Sequence, residues 1–148
     1  MNAHLARFLA VVALATVAFT RTADANAPAG RYTTSGGTVY DTKTKLTWQQ
    51  AVAPGAYTWA NAKAYCAGLS LNGTGWRLPT IKELQTIVDE SQTNPSIDTT
   101  AFPSTPANWF WSSSPLVGSS SYACSVSFND GSADCSAVSS ASYVRCVR

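Results

Sequence analysis

A change from an extended pattern to a helical one stands out in the middle of the chain. Pro79 cannot donate to a sheet ladder and disfavours helix at the residue before it, so it ends an extended segment. Thr80 then occupies the place of a helix N-cap, and Glu83 follows three residues later, which is the spacing of a capping box. Apolar residues continue at helical spacing: Leu84, Ile87 and Val88. The pattern predicts a helix from Thr80 to about Glu90, started by the Thr80 and Glu83 side chains.

Hydrophobic spacing also predicts an earlier helix and, before it, a β-hairpin. Apolar positions that step by three or four predict a helix from about Trp59 to Leu69, with Thr58 at its N-cap. Residues 32–50 predict a hairpin around a turn at 41–45. The apolar or strand-favouring positions of that hairpin are Thr38, Tyr40, Leu46 and Trp48.

The second half of the chain is typical of β-structure. The predicted extended segments are Trp76–Leu78, Trp109–Ser113, Tyr122–Phe128, Ser132–Val138 and Ser142–Val147. We expect the last three to be antiparallel neighbours, and Tyr122–Phe128 alternates with the period of a half-buried strand. Ser91–Asn108 is a long irregular loop, which we expect to be packed because Ile97, Ala101 and Phe102 can anchor it.

The first 25 residues predict a secretory signal peptide. The apolar run at 8–19 is too short to span a bilayer, which needs about 20 apolar residues. Ala23–Ala25 is a small-x-small cleavage site, so residues 26–29 would be a short leader and residues 30–148 the domain. We therefore expect a secreted or periplasmic protein of the cell envelope that does not insert into a membrane after cleavage.

Charge excludes one class of partner. The chain has ten basic and eight acidic residues, a formal net charge of +2. Without a basic stripe or a strong field, no nucleic-acid partner is expected. The basic side chains Arg145 and Arg148 are interpreted as solvated surface charge, because Arg145 alternates with Cys146 and would face away from it.

Four cysteines in an exported chain predict two disulfides. Spacing alone allows three connectivities, of which we favour Cys66–Cys146 with Cys124–Cys135. Cys66 falls on the inner face of the first predicted helix, and Cys146 falls on the inner face of the last strand. Cys124 and Cys135 flank a turn at 129–131, so a hairpin would bring them together.

Catalytic and metal-binding groups are scarce. His4 is the only histidine and lies in the predicted signal peptide, so no Ser-His-Asp triad or histidine-bound zinc is expected in the mature domain. Asp89 and Glu90 are adjacent and would diverge by about 100° on a helix. Asn129 and Asp130 are interpreted as a hairpin turn. Calcium, which needs six to eight oxygen ligands, is not favoured, and neither a cofactor nor an enzyme is expected.

Several segments, taken in order, resemble the Lcl C-terminal domain family, named after a bacterial collagen-like adhesin. They are Gly37–Asp41, Leu46–Gln49, the helix with Trp59, Ala62, Tyr65 and Cys66, Trp76–Leu84, Trp111–Ser114 and Tyr143–Arg148. The resemblance covers roughly residues 30–148. It implies an α+β, C-type-lectin-like fold on an extracytoplasmic bacterial protein, with two helices packed on a twisted antiparallel sheet and stapled by disulfides.

The family resemblance and the scarcity of catalytic and metal-binding groups together predict a non-catalytic binding module. Its most favoured ligand is glycan at a cell surface or matrix. A structural or protein-binding envelope component is the alternative. Trp76–Thr80 also resembles the formylglycine-generating sulfatase-modifying enzymes, a remote alternative because those use reduced cysteines and a much longer chain.

We expect the ligand surface on three loops clustered at one end of the sheet: Ser91–Asn108, Pro115–Ser121 and Asn129–Gly131. The expected ligand-binding residues are Asn94, Asp98, Asn108, Trp109, Asn129 and Asp130. Their amides and carboxylates would meet sugar hydroxyls, and the indole would stack on a ring face. Affinity per site would be weak, so an oligomer could add avidity.

Overall fold

The computed structural model describes residues 28–148. The predicted signal peptide and leader residues 26–27 lie outside the described residues. The elements, in chain order, are β1 (Tyr32–Ser35), β2 (Thr38–Asp41), β3 (Thr47–Gln49), α1 (Trp59–Gly68), α2 (Ile81–Gln85), β4 (Trp109–Leu116), β5 (Ser119–Ser127) and β6 (Ala133–Ala137). The predicted α+β class is confirmed.

Two sheets form where one was expected. β1, β2 and β3 are neighbours in one antiparallel sheet, and β4, β5 and β6 are neighbours in the other. The strand that the sequence did not predict separately is β1. It turns into β2 through Gly36 and Gly37, whose φ angles are 55° and 81°. A two-residue hairpin turn needs positive φ at both positions, and glycine adopts it without steric cost.

In the first sheet, the strand register decides which side chains are buried. Val39 is paired with Trp48 across β2 and β3, and both are fully buried. Tyr40, one of the predicted apolar positions, is 39% exposed. Successive side chains of a strand point to opposite faces, so burial of Val39 turns Tyr40 outward.

The second sheet lies between two hydrophobic clusters. Phe110 and Trp111 are neighbours in β4 but belong to different clusters, as do Ala123 and Val126 in β5. Because alternate positions point to opposite faces, both faces of this sheet are covered. The expectation that Tyr122–Phe128 is half-buried is therefore wrong from Ser125 onward, where even Ser125 and Ser127 are buried.

The helices join these clusters instead of lying on one sheet, which corrects the predicted arrangement. Leu84 of α2 packs in a cluster with Val39 of the first sheet and Phe110 of the second. Ala62 and Cys66 of α1 pack in the other cluster, beside Trp111. Each helix thus fills its own core.

The helix bounds agree with the sequence at α1 and differ at α2. The second helix ends at Gln85 and not near Glu90. The N–H groups of Thr86, Ile87 and Val88 donate to the carbonyl three residues back, not four. Three β-branched residues in a row lose side-chain freedom in a helix, which favours this tighter ending.

The C-terminal segment Ser142–Val147 is predicted to be a strand of the sheet, and this prediction is wrong. The segment instead connects several elements through isolated bridges. Ser142 bridges to Tyr57, and Val147 bridges to both Trp48 and Arg77. Since Trp48 belongs to β3 and a further bridge joins this segment to β4, its backbone ties the two sheets together. It is covered on both sides, so residues 144–147 are all buried.

Candidate ligand-binding surface

Five of the six predicted ligand-binding residues meet at one end of the second sheet. The Asn94 N–H donates to the Asn129 carbonyl at 2.9 Å, and the Phe128 N–H donates to the Asn108 carbonyl at 2.9 Å. Trp109 begins β4 opposite Ser127. These bonds join the long loop, β4 and the β5–β6 turn. We call the exposed residues there the Trp109 surface: Asn94, Asn108, Trp109, Asn129 and Asp130.

Trp109 offers an aromatic face at this surface. The residue is 36% exposed, whereas Trp111, two residues further on the same strand, is completely buried. The Asn108 side-chain oxygen accepts the Trp109 N–H at 2.8 Å, and the Trp109 carbonyl accepts the Tyr143 N–H at 2.9 Å. The backbone of Trp109 is thus held on both sides while the residue remains partly exposed.

The turn beside Trp109 is ordered by its own polar groups. Asp130 accepts the Ser132 N–H at 3.1 Å and the Ser132 hydroxyl at 2.7 Å. The bond from the Ser132 hydroxyl is the main cause that lowers the pKa of Asp130, so this carboxylate is ionised at neutral pH. Gly131 has a φ of 81°, and a Cβ there would lie 2.7 Å from Val88 Cγ1. The turn therefore approaches the segment after α2 too closely for a side chain.

Two features of the expected site are not found there. Asp98 is buried, and its Oδ1 accepts the N–H groups of Thr100 and Ala101 at 2.9 and 3.1 Å. It caps a turn of the loop instead of joining the Trp109 surface. The Pro115–Ser121 connector lies at the opposite end of the β4–β5 pair, because Trp109 pairs with Ser127. The expected clustering of three loops is wrong for this one.

Asp98 instead lines a groove that the sequence did not reveal. Two cavities of about 290 and 310 Å³ share Pro28, Arg31, Tyr32 and Asp98 in their walls. Burial raises the pKa of Tyr32, although Arg31 opposes the shift. No local signal marks this groove, since it forms only when the start of β1 meets the loop near Asp98.

Arg31 is already engaged inside this groove. It donates to Asp41 at 2.8 and 3.2 Å and to the Thr86 carbonyl at 2.6 Å. Burial pushes the pKa of Asp41 upward, but the hydrogen bonds from Arg31 and from the Lys43 N–H outweigh it and leave that pKa lowered. The pair joins β2 to the end of α2.

The predicted capping box is present at α2. The Thr80 hydroxyl accepts the Glu83 N–H at 3.2 Å, and Glu83 Oε2 accepts the Thr80 N–H at 2.8 Å. Arg77, which the sequence did not single out, donates to both oxygens of Glu83. These bonds are the main cause that lowers the pKa of Glu83 to about 2, against an opposing effect of burial.

The interpretation of Arg145 as surface charge is wrong. Its side chain is completely buried, and burial lowers its pKa to about 9. Alternation placed Arg145 opposite Cys146, and the tertiary structure covers that opposite face as well. By contrast Arg148 is only half-buried, and its guanidinium lies 4.9 Å from the centre of the Trp76 ring.

Both predicted disulfides are confirmed. Cys66 of α1 is bonded to Cys146, and Cys124 of β5 is bonded to Cys135, its direct partner in β6. No free thiol remains in residues 28–148. Two disulfides in a chain of this size indicate an oxidising, extracytoplasmic compartment.

Neither a metal cluster nor a membrane span is seen in the part of the chain that the structure describes. Within residues 28–148, no three His, Cys, Asp or Glu side chains are placed to hold a metal ion together. The described helices all lack the length and apolar character needed to cross a bilayer.

These features define a small, disulfide-stapled extracytoplasmic domain of two antiparallel sheets and two short helices. The family model of the Lcl C-terminal domain matches residues 37–148, and the chain therefore belongs to that family. No curated protein matches the chain.

Proposed function

We propose that this domain is a secreted, non-catalytic module that binds glycan at a cell surface or matrix. The observation that carries the proposal is the Trp109 surface, where a part-exposed indole stands among exposed amide and carboxylate side chains. An indole face can cover the C–H face of a sugar ring, and amides and carboxylates can bond its hydroxyls. The C-type-lectin-like fold that the family resemblance implies would suit the same role.

Such a surface would bind weakly. A shallow polar site retains little net free energy after desolvation, so we expect a dissociation constant near about 1 mM for a single site. Adhesion would then need several domains acting together, because linked sites raise the effective affinity.

A glycan array on the processed chain tests this, with and without a calcium chelator. We expect weak, chelator-insensitive binding that Trp109→Ala abolishes. Tyr122→Ala is the matched control, because Tyr122 is 44% exposed on β5, toward the other end of the β4–β5 pair. Equal loss in both variants would place the ligand elsewhere, and an array without signal would refute glycan binding.

A protein-binding or structural envelope role is the alternative, and the β4–β5 turn favours it. Val117 is 97% exposed and Leu116 is 39% exposed at this turn. No charged residue occurs between Asp98 and Asp130, so the hairpin could enter a protein groove without desolvating a charge. Val117→Asp should abolish protein capture and leave glycan binding intact.

A further inference from the structure

Arg145 is a buried cation that forms no ion pair with any carboxylate of residues 28–148. Its side chain is fully buried, and the ion pairs of residues 28–148 join other groups. Its Nε has no hydrogen-bond partner among the described residues. A buried charge of this kind costs free energy, and replacing buried ionic groups by apolar ones is often neutral or stabilising. We therefore expect Arg145 to contribute through the geometry that its hydrogen bonds impose, and not through stability.

The guanidinium joins two separate parts of the chain. Its Nη1 donates to the carbonyls of Gln49 and Gln50 at 3.1 and 2.6 Å, at the end of β3. Its Nη2 donates to Thr105 Oγ1 at 2.7 Å, in the long loop. The guanidinium carbon also lies 4.6 Å from the centre of the Phe102 ring. The planar, forked guanidinium of an arginine can hold the end of β3 and the long loop at a fixed distance from each other, which the ammonium of a lysine cannot do.

The loop that Arg145 holds leads directly to the Trp109 surface. Thr105 itself donates to the Phe102 carbonyl at 2.8 Å, which closes the turn that precedes Asn108. Asn108 then bonds Phe128 and Trp109, as described above. Only three residues separate Thr105 from Trp109, so the place of Thr105 limits where the indole can lie.

We propose that Arg145 is a positioning residue, which holds the Phe102–Asn108 loop against β3 and thereby sets Trp109 in its binding geometry. The binding part of this proposal rests on the proposed glycan function. The positioning part does not, because it concerns the loop in the free protein.

Amide hydrogen exchange on the full processed chain tests the proposal. Arg145→Met removes the fork and keeps an unbranched apolar side chain. Thr105→Val leaves Arg145 intact but removes the acceptor of its Nη2 together with the hydroxyl that donates to Phe102, so it covers the case in which the first variant does not fold. Arg145→Lys keeps the charge without the fork. Arg148→Met is the matched control. Arg148 is a partly exposed arginine whose guanidinium contacts Trp76 and Asn72 and not the Phe102–Asn108 loop.

The expected result is local. The N–H groups of Phe102 and Phe128 should exchange about tenfold faster or more in the Met, Val and Lys variants. Loss of a hydrogen bond from a charged donor raises the equilibrium constant for local opening at least about tenfold. Protection along the rest of β4 and β5 should stay unchanged, and so should protection everywhere in Arg148→Met. Glycan binding should weaken in parallel.

Three outcomes would overturn the proposal. Uniform loss of protection across β4 and β5 in both Arg145→Met and Thr105→Val would make Arg145 a residue that holds the whole fold. Unchanged exchange in the loop, or full rescue by Arg145→Lys, would show that the fork does not position it. If the wild-type chain binds no glycan but the loop loosens as expected, the glycan function fails while the positioning role stands.

Discussion

Arg77 and Glu83 are joined by two hydrogen bonds, of 2.8 and 2.7 Å, across the junction where an extended segment becomes α2. The same Glu83 carboxylate accepts the Thr80 N–H, so one side chain both caps the helix and ties it to the segment before it. Arg77 exchanges backbone hydrogen bonds with Val147. The junction thus sets α2 relative to the C-terminal segment.

Removal of the cap should destabilise the domain measurably. Thr80→Ala deletes the hydroxyl that accepts the Glu83 N–H, and loss of an N-cap costs about 1 kcal/mol. Glu83→Ala should lower the free energy of unfolding by about as much, because it also breaks the ion pair with Arg77. That pair contributes little by itself, since it is exposed to solvent. Urea unfolding of both variants measures these values, and unchanged midpoints would contradict the role of the box.

The Glu83 carboxylate should make stability depend on pH in the acid range. Its pKa is about 2 in the folded protein against an ordinary value of 4.5. A lowered folded-state pKa contributes stability that is present above pH 4.5 and is lost as the pH falls toward 2. The melting temperature of the wild type should therefore fall across this window more steeply than that of Glu83→Gln. Parallel curves would show that other carboxylates dominate.

The buried Asp41, which is ion-paired with Arg31, should matter far more than the exposed Asp130, which accepts hydrogen bonds from Ser132. Asp41→Asn leaves Arg31 without its charged partner, and breaking a buried pair costs roughly 3 kcal/mol. Asp130→Asn is the control, since Asp130 is exposed and such surface changes stay within about 0.5 kcal/mol. Chemical denaturation compares the two variants. Similar midpoints would show that the Arg31–Asp41 pair contributes little to the free energy of unfolding.

The two disulfides should contribute unequally. Cys66 and Cys146 are 80 residues apart, and Cys124 and Cys135 are 11 apart. The chain-entropy model gives about 4.5 kcal/mol for the longer loop and about 3 for the shorter one. Paired serine substitutions, compared by calorimetry, should lower the melting temperature more for the first bond. An equal or reversed effect would mean that loop length does not decide their contributions.

Two tryptophans on one strand should respond differently to truncation. Trp111→Ala should cost about 3–5 kcal/mol, because it empties a fully buried site. Trp109→Ala should cost less, roughly 2–3 kcal/mol, since Trp109 is 36% exposed. Denaturant midpoints of the two variants check this. An unfolded Trp109→Ala would assign Trp109 to the core and remove the main support for a glycan site.

Local features of this domain were predictable from the sequence. The capping box depends on residues three apart, and α1 depends on spacing within ten residues, so neighbours in sequence suffice. The pairing of Cys124 with Cys135 follows from a single hairpin. The ordered family segments likewise identified the family that matches residues 37–148.

Only the tertiary structure decided which faces are covered. Period-two alternation tells that Arg145 points away from Cys146, but not that a loop covers that side too. Likewise Asp98 lies between Asn94 and Asn108 in sequence, yet it turns inward to cap its own loop instead of joining their surface. Burial depends on contacts between residues far apart in the chain, and local spacing carries no information about which distant segment arrives to make them.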